Sequence, residues 1–287
     1  MTAMTLMGRS ASTAAPGGTP ALVVVAHGSR DPRALSTVRA LLDRVRALRP
    51  GLPVHLGHIE LNEPLLPDTL AALGDGAAVL VPLLLSRGHH VKRDIPEMAA
   101  ASPARTRVAA PLGPHPLLVD ALHDRLAEGG RPVDAGPDHA VVLASAGSRD
   151  PDSRTDTART AALLSARLGA PVVPAYASAA APTVPEAVRA LEARGYRDIA
   201  VASYFTAPGR FATECAAAAP RIASAPLGTH PAMARLLLHR YDRALVTDGG
   251  TNAPEGARDA STRGAAAWAR PATTHPARES APHPAHA

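Results

Sequence analysis

Short apolar runs alternate with amphipathic segments along most of this chain. The first run, ALVVVAHG at Ala21–Gly28, is rich in valine and predicts a strand that is buried on both faces. Apolar residues then recur at helical spacing from Leu35 to Leu48, and Pro50 with Gly51 predicts the end of that helix. Strands that alternate with helices are typical of βαβ units, so we expect a parallel sheet with right-handed crossovers.

The same alternation continues to residue 127. Gly74 is expected at the end of a short helix that begins with Pro64. The pattern predicts three further strands and three further helices: strands at Pro53–Ile59, Ala77–Leu85 and Arg107–Ala110, and helices at Pro64–Leu73, Asp94–Ala101 and Pro116–Ala127. About four parallel strands with their helices make one α/β lobe of the flavodoxin-like, three-layer αβα class.

The motifs of this first lobe occur again, in the same order, in the second half of the chain. AHGSRDP at residues 26–32 matches SAGSRDP at 145–151, and APLGPHP at 110–116 matches APLGTHP at 225–231, while Pro64 corresponds to Pro182. Anchors at a nearly constant offset indicate a tandem duplication. We predict an N-terminal lobe at residues 20–130 and a C-terminal lobe at 137–246, joined near Gly129–Asp138.

The two ends of the chain lack this pattern. Residues 1–19 are predicted to be a disordered leader, and residues 247–287, rich in Ala, Pro and Arg, a disordered tail. The leader lacks the basic start and apolar core of a signal peptide, and no apolar run reaches the ~18 residues of a membrane span. Cys215 is the only cysteine, which excludes an intrachain disulfide and fits a reducing cytoplasm.

Charge and aromatic content restrict the class of partner. The formal net charge is +5 and the isoelectric point about 10.1, which suits a polyanionic partner but also a solvated arginine-rich surface. Aromatic residues make up only 2% of the chain, which argues against a platform for stacked bases. The simpler interpretation of the charge is a solvated arginine-rich surface, and we expect neither nucleic acid nor a membrane as a partner.

The duplication singles out candidate functional residues, because the two copies can be compared with each other. Three potential metal ligands or proton carriers are present only in the first copy: His27 is replaced by Ala146, Glu60 by Ser178, and His90 by Arg210 or Phe211, depending on where a short gap is placed. The GSRD sequence after His27 persists in both halves. The second copy is thus predicted to keep the framework without the chemistry.

His27, Glu60 and His90 each follow a predicted strand of the first lobe. Because ligands bind at the carboxyl ends of strands in open parallel sheets, we expect the three side chains at one edge. Two imidazoles and a carboxylate suit a borderline divalent ion such as Co²⁺, Fe²⁺ or Ni²⁺, and leave coordination positions open. Glu60 has an alternative reading as a cap of the next helix. His115 and His230, which persist in both halves, are read as structural.

Taken in order, these motifs resemble those of the CbiX-type sirohydrochlorin chelatases, the class II chelatases of the cobalamin and sirohaem pathways. The resemblance extends from Ala21 to Leu245, and its motifs are AHGSRDP, Glu60-Leu61 followed by Pro64, GHHVKRDIP from Gly88, and PLGPHP. It implies two α/β lobes that face a cleft, with His27 and His90 as the metal-binding histidines. His89 falls at the variable position of the G-x-H-V pattern.

The resemblance also implies a reaction: insertion of Co²⁺ or Fe²⁺ into sirohydrochlorin with release of two protons, by a lyase-class enzyme that needs no other cofactor. His27, His90 and Glu60 are the expected catalytic residues. The substrate carries eight carboxylates, for which we expect a binding set of Ser29, Arg30, Arg87, Lys92 and Arg93. The internal pseudo-dimer suggests a cytoplasmic monomer.

Rival functions are weighed on single features of the sequence. No GxxxxGK[ST] loop is present, which disfavours an ATP-driven chelatase subunit. A histidine phosphatase requires arginine directly before the histidine, where this chain has Ala26. A non-catalytic protein that binds or delivers metal or tetrapyrrole stays open, as does the choice between cobalt and iron.

Overall fold

Two parallel four-stranded sheets organise the protein in the computed structural model, which describes residues 18–132 and 136–246. Each sheet has its second strand at one edge, then the first, third and fourth, so the two sheets have the same topology. The strands of the first sheet are β1 Ala21–Ala26, β2 Val54–His58, β3 Ala77–Pro82 and β4 Arg105–Val108. Those of the second are β5 His139–Ser145, β6 Val172–Tyr176, β7 Asp198–Ser203 and β8 Ile222–Ala223. The prediction of two duplicated α/β lobes is confirmed.

Helices connect the strands in both lobes. Those of the first lobe are α1 Pro32–Leu48, α2 Leu66–Leu73, α3 Ile95–Ala100 and α4 Pro116–Glu128; those of the second are α5 Pro151–Leu168, α6 Val184–Glu192, α7 Arg210–Ala217 and α8 Pro231–Val246. A π-helical turn, His90–Asp94, precedes α3. No helix in the described part of the chain has the length and apolarity needed to cross a bilayer.

Alternation along β1 decides which helices cover each face of the first sheet. Leu22 and Val24 join a core that also contains side chains of α1, α4, α8 and the second sheet, so this core is shared by both lobes. Val23 and Val25 point the other way, into a core formed with α2 and α3. A corresponding outer core covers the second sheet beneath α6 and α7.

Some predicted boundaries were wrong. The helix expected from Pro64 begins at Leu66, with Pro67 in its first turn, and Pro64 lies in the preceding loop. The third strand ends at Pro82 rather than Leu85, and the helix expected near Asp94 is preceded by the π-helical turn. The predicted disordered segments, residues 1–19 and 247–287, lie outside the described residues except for residues 18 and 19.

The GSRD sequence that occurs in both lobes has a structural role. Gly28 has φ +103°, and a Cβ atom there would lie 1.9 Å from the Glu60 carbonyl oxygen; Gly147 has φ +89° and the same close approach to Ser178. A side chain is excluded at both positions. Asp31 and Asp150 then cap α1 and α5 by accepting hydrogen bonds from backbone N–H groups.

Candidate metal and substrate site

The two lobes enclose a cleft of about 1,340 Å³ at the carboxyl ends of the strands. His27 follows β1, Glu60 follows β2, and His90 begins the π-helical turn after β3; all three line this cleft. The loops of the second lobe, including Ala146, Ser178 and Phe211, line it as well. The structure therefore brings the predicted residues to one edge of the first sheet and sets that edge against the second lobe.

His27 and His90 are neighbours in the cleft. Their ring centroids are 4.8 Å apart and the rings meet edge to face, with an interplanar angle of 83°. His27 Nε2 lies 3.6 Å from Glu60 Oε1, while His27 Nδ1 lies 3.3 Å from the Gly28 carbonyl oxygen. If Nδ1 carries the proton, the Nε2 lone pair is directed to the Glu60 side of the ring.

Asp94 holds the second histidine and was not singled out by sequence reasoning. His90 Nδ1 lies 2.5 Å from Asp94 Oδ2, and His89 Nε2 lies 3.3 Å from Asp94 Oδ1. A carboxylate on Nδ1 fixes the ring and leaves Nε2 to face a metal, as is usual for a metal-binding histidine. The four-residue spacing from His90 to Asp94 was the signal that could have found it, had the helix been predicted to begin at His90 rather than at Asp94.

Glu60 is placed beside His27 rather than on a helix. Its side chain is half exposed, and α2 is capped from Leu65 with no side-chain hydrogen bond. The capping interpretation of Glu60 is therefore wrong, and its carboxylate is free to act within the cleft.

The site is open. In residues 18–132 and 136–246, no group of three or more His, Cys, Asp or Glu side chains is arranged to hold a metal ion. His27 and His90 offer two nitrogen donors and Glu60 approaches only His27, so further ligands would have to come from water or from the substrate. Such an arrangement suits an ion in transit better than a closed structural site.

Two of the predicted carboxylate-binding residues line the cleft, and each is placed by the loop after β1. Ser29 Oγ accepts a hydrogen bond from the Asp31 backbone N–H at 3.1 Å, and the Ser29 N–H donates to Asn62 Oδ1 at 2.7 Å. Arg30 lines the cleft with an exposed side chain. The position of Arg30 is compatible with an anionic ligand, whereas the Ser29 hydroxyl supports the turn.

The other three basic residues do not line the cleft. Arg87 forms a two-pronged ion pair with Asp156 of the second lobe, with Nη2 2.7 Å from Oδ1 and Nε 3.0 Å from Oδ2. Lys92 Nζ lies 2.7 Å from Asp150 and 2.9 Å from Asp152. Arg93 is exposed outside the cleft. Arg87 and Lys92 thus form ion pairs between the two lobes, because each cation is already paired with carboxylates of the second lobe.

The histidines read as structural have structural contacts. His115 and His230 cap α4 and α8, each accepting a hydrogen bond at Nδ1 from the N–H two residues later, at 3.1 and 3.2 Å. His58 is buried with Nδ1 3.1 Å from the Pro64 carbonyl oxygen, and its burial lowers the pKa of the imidazole. His58 also lines the cleft, as a buried imidazole whose neutral form is favoured.

The structure also decides which residue of the second lobe replaces His90. A Cβ atom at Gly88 would lie 3.8 Å from Ser148 Oγ, and one at Gly209 would lie 3.8 Å from Ser29 Oγ, so the two glycines are equivalent across the lobes. The second residue after each glycine is His90 in one lobe and Phe211 in the other. Phe211 is therefore the counterpart of His90.

One family model matches each of the two lobes separately. The family model described as CbiX matches residues 21–129 and 140–244. The sirohydrochlorin ferrochelatase of Bacillus subtilis is 32% identical over 182 residues, which is 60% of this chain and 68% of the relative. The sirohydrochlorin cobaltochelatase of Methanococcus maripaludis is 36% identical over 81 residues, 27% of this chain and 56% of the relative.

A solved structure agrees over most of the described chain. SirB from Bacillus subtilis with Fe³⁺ superposes with a TM-score of 0.65 at 27% identity, covering 80% of this chain and 96% of that one. Two separate matches to one family model, in lobes of the same topology, account for nearly all of the residues between 21 and 244. The chain therefore belongs to the CbiX family.

Proposed function

We propose that this protein is a sirohydrochlorin chelatase that inserts a divalent metal, Co²⁺ or Fe²⁺, into the tetrapyrrole without ATP. The observation that carries the proposal is the pair of imidazoles, His27 and His90, 4.8 Å apart in an open cleft large enough for a macrocycle. Relatives that carry ferrochelatase and cobaltochelatase names support the reaction class and leave both metals as candidates.

The chain's own side chains can perform the required steps. His27 and His90 hold the ion by ring nitrogens while its remaining positions exchange water for pyrrole nitrogens. Metal insertion displaces two pyrrole protons: Glu60, 3.6 Å from His27, is a carboxylate placed to accept one, and an imidazole released as the ion moves to the ring accepts the other. Asp94 keeps the His90 ring oriented through both stages. Arg30 supplies a cation at the cleft for the substrate's carboxylates.

The two lobes already form one cleft within a single chain, and on that basis we propose that the active unit is a monomer. Size-exclusion chromatography with light scattering tests this directly. A mass near 29.4 kDa is expected, the mass of one chain, and a stable dimer at working concentration would contradict it.

The reaction is tested by anaerobic absorbance spectroscopy of sirohydrochlorin mixed with Co²⁺ or Fe²⁺, with and without protein. The spontaneous reaction sets the baseline, and the His27→Ala variant is the matched control. We expect the wild-type protein to raise the insertion rate above both. Binding of tetrapyrrole with no increase in rate would show a delivery protein and overturn the chelatase proposal, and the ratio of the two metal rates would identify the preferred ion.

A further inference from the structure

Phe211 occupies the position of His90 in the second lobe, but its side chain is not part of a hydrophobic core. The ring is half-buried, lines the cleft, and belongs to none of the three hydrophobic cores of the described chain. The chain has only two phenylalanines, and both line this cleft. Phe205, the other, packs partly against the outer core of the second lobe. An aromatic ring exposed to a cleft and absent from the core requires a different explanation.

Arg210 adds a cation to this ring. Its guanidinium carbon lies 4.4 Å from the Phe211 ring centroid, and Nη1 lies 3.4 Å from Glu214 Oε1. The side chain is otherwise exposed at the cleft. A stacked guanidinium over an aromatic face is held in a defined orientation while its edge stays available to an anion.

The two halves of the cleft therefore differ in chemistry. The first lobe presents metal-binding imidazoles, and the equivalent part of the second presents Ala146, Ser178 and a cation over an aromatic ring. We propose that Phe211 and Arg210 form the tetrapyrrole-binding platform of the second lobe: Phe211 stacks on the conjugated macrocycle, and Arg210 pairs with one of its carboxylates. In this arrangement the first lobe binds the metal ion and the second lobe binds the tetrapyrrole ring.

This inference rests on the proposed function, since it assigns residues to the substrate of that reaction. Stacking of a conjugated ring on phenylalanine and a charge-assisted hydrogen bond each contribute on the order of a tenfold change in affinity. No hydrogen bond, ion pair or ring contact of the described chain joins Phe211 or Arg210 to His27 or His90, so metal affinity is expected to be independent of both. Substrate affinity and metal affinity should separate.

The experiment is a metal-free, anaerobic titration of the full chain with sirohydrochlorin, followed by absorbance. Phe211→Leu is expected to raise Kd about tenfold, Phe211→Trp to retain binding, and Arg210→Gln to raise Kd several-fold. Arg194→Gln is the matched control, because Arg194 lies over the Tyr196 ring at 5.5 Å outside the cleft. A parallel titration with Co²⁺ alone should give the wild-type Kd for every one of these variants.

The outcomes separate the two proposals. If the wild-type protein neither binds sirohydrochlorin nor accelerates metal insertion, the proposed function fails. If the wild type does both but Phe211→Leu and Arg210→Gln bind the tetrapyrrole as tightly as Arg194→Gln, the platform is overturned and the chelatase stands. Should Phe211→Leu lose its thermal transition, Arg210→Gln decides by itself, since its side chain is exposed.

Discussion

His90 Nδ1 and Asp94 Oδ2 lie 2.5 Å apart at the two ends of the π-helical turn that precedes α3. Four residues separate His90 from the buried Ile95 in that turn, whereas three separate Phe211 from the buried Cys215 in α7. The turn ends at Asp94, whose carboxylate contacts the histidine ring. Such π-helical insertions recur at functional sites.

Removal of this carboxylate should weaken the metal site without unfolding the lobe. Asp94→Ala is expected to lower Co²⁺ affinity or the insertion rate by about 10- to 100-fold, the usual cost of losing the group that orients a metal-binding histidine. Asp94→Asn, which keeps the hydrogen-bond acceptor but not the charge, should lose less. Metal titration and initial rates measure both; wild-type values for Asp94→Ala would show that the contact with His90 has no role in binding.

The adjacent histidines provide a test of residue choice. His90→Ala removes a proposed ligand and should reduce the insertion rate by more than about 100-fold, which exceeds the loss expected for Asp94→Ala. His89 is three-quarters exposed, and its contacts are with the outer oxygen of Asp94 and, edge to face at 6.4 Å, with the His90 ring, so His89→Ala should cost less than about tenfold. The rates of the two variants are compared at saturating metal. An equal loss in His89→Ala would reassign the ligand.

The local apolar pattern and the internal duplication were enough to predict where the candidate ligands lie. Val23 and its neighbours read as a buried strand because both faces of a parallel sheet are covered, and that placed His27 at the strand's end. The fate of Arg87 could not be predicted in this way. Its partner, Asp156, lies on α5 of the other lobe and shows no local signal, so an arginine beside the metal motif was read as a substrate ligand.

Arg87 should therefore affect stability more than substrate binding. Asp156 is 2% exposed, and Arg87→Met would leave its carboxylate buried without a cation. The free energy of unfolding should fall by about 3 kcal/mol, the low end for a broken buried pair because the Arg87 side chain is partly exposed. The double variant with Asp156→Asn should recover part of the loss. Urea denaturation measures both.

A second measurement on the same Arg87→Met protein distinguishes the two roles. The Kd for sirohydrochlorin should stay within about twofold of wild type, well under the tenfold that 1.4 kcal/mol represents. A large loss of substrate affinity with unchanged unfolding would return Arg87 to the carboxylate-binding set.

Lys92 gives the second link between the lobes a defined dependence on pH. The hydrogen bond from Lys92 is the largest cause that lowers the pKa of Asp150 below its ordinary 3.8, and the hydrogen bond from the Asp152 N–H is the next largest. The same pairing raises the pKa of Lys92 above 10.5. A carboxyl group whose pKa is lower in the folded state stabilises the fold at every pH above its unfolded-state pKa. This stabilisation is lost as the pH falls through the folded-state pKa. The pair should contribute from about pH 4 to about pH 10.

Lys92→Met should accordingly be less stable than wild type at pH 7, and the two denaturation midpoints should converge as the pH falls below 3.8, the ordinary pKa of Asp150. Added salt should also narrow the difference, because both groups are accessible to solvent. Midpoints in urea from pH 3 to 8 provide the measurement. A difference that persisted unchanged at low pH would mean that Lys92 acts through packing rather than charge.

Boundaries were predicted less well than elements, for reasons visible at Pro64. A proline before an apolar stretch suits the first turn of a helix, and Pro67 supplies that feature three residues later. Two prolines in one short segment satisfy the same local rule, and only tertiary packing of Leu66 into the core decides between them. The equivalence of His90 and Phe211 likewise needed contacts between lobes, because a one-residue insertion hides it in the sequence.

Cys215 tests that equivalence through its reactivity. It packs in the outer core of the second lobe where Ile95 packs in the first, and burial raises the pKa of its thiol to about 11. At pH 8 only about one thiol in a thousand would then be ionised, and the thiolate is the reactive form. Iodoacetamide should modify the native protein far more slowly than the protein unfolded in urea, and Cys215→Ala should retain Co²⁺ affinity. Rapid labelling of the native chain would show that Cys215 is accessible and would overturn its equivalence with the buried Ile95.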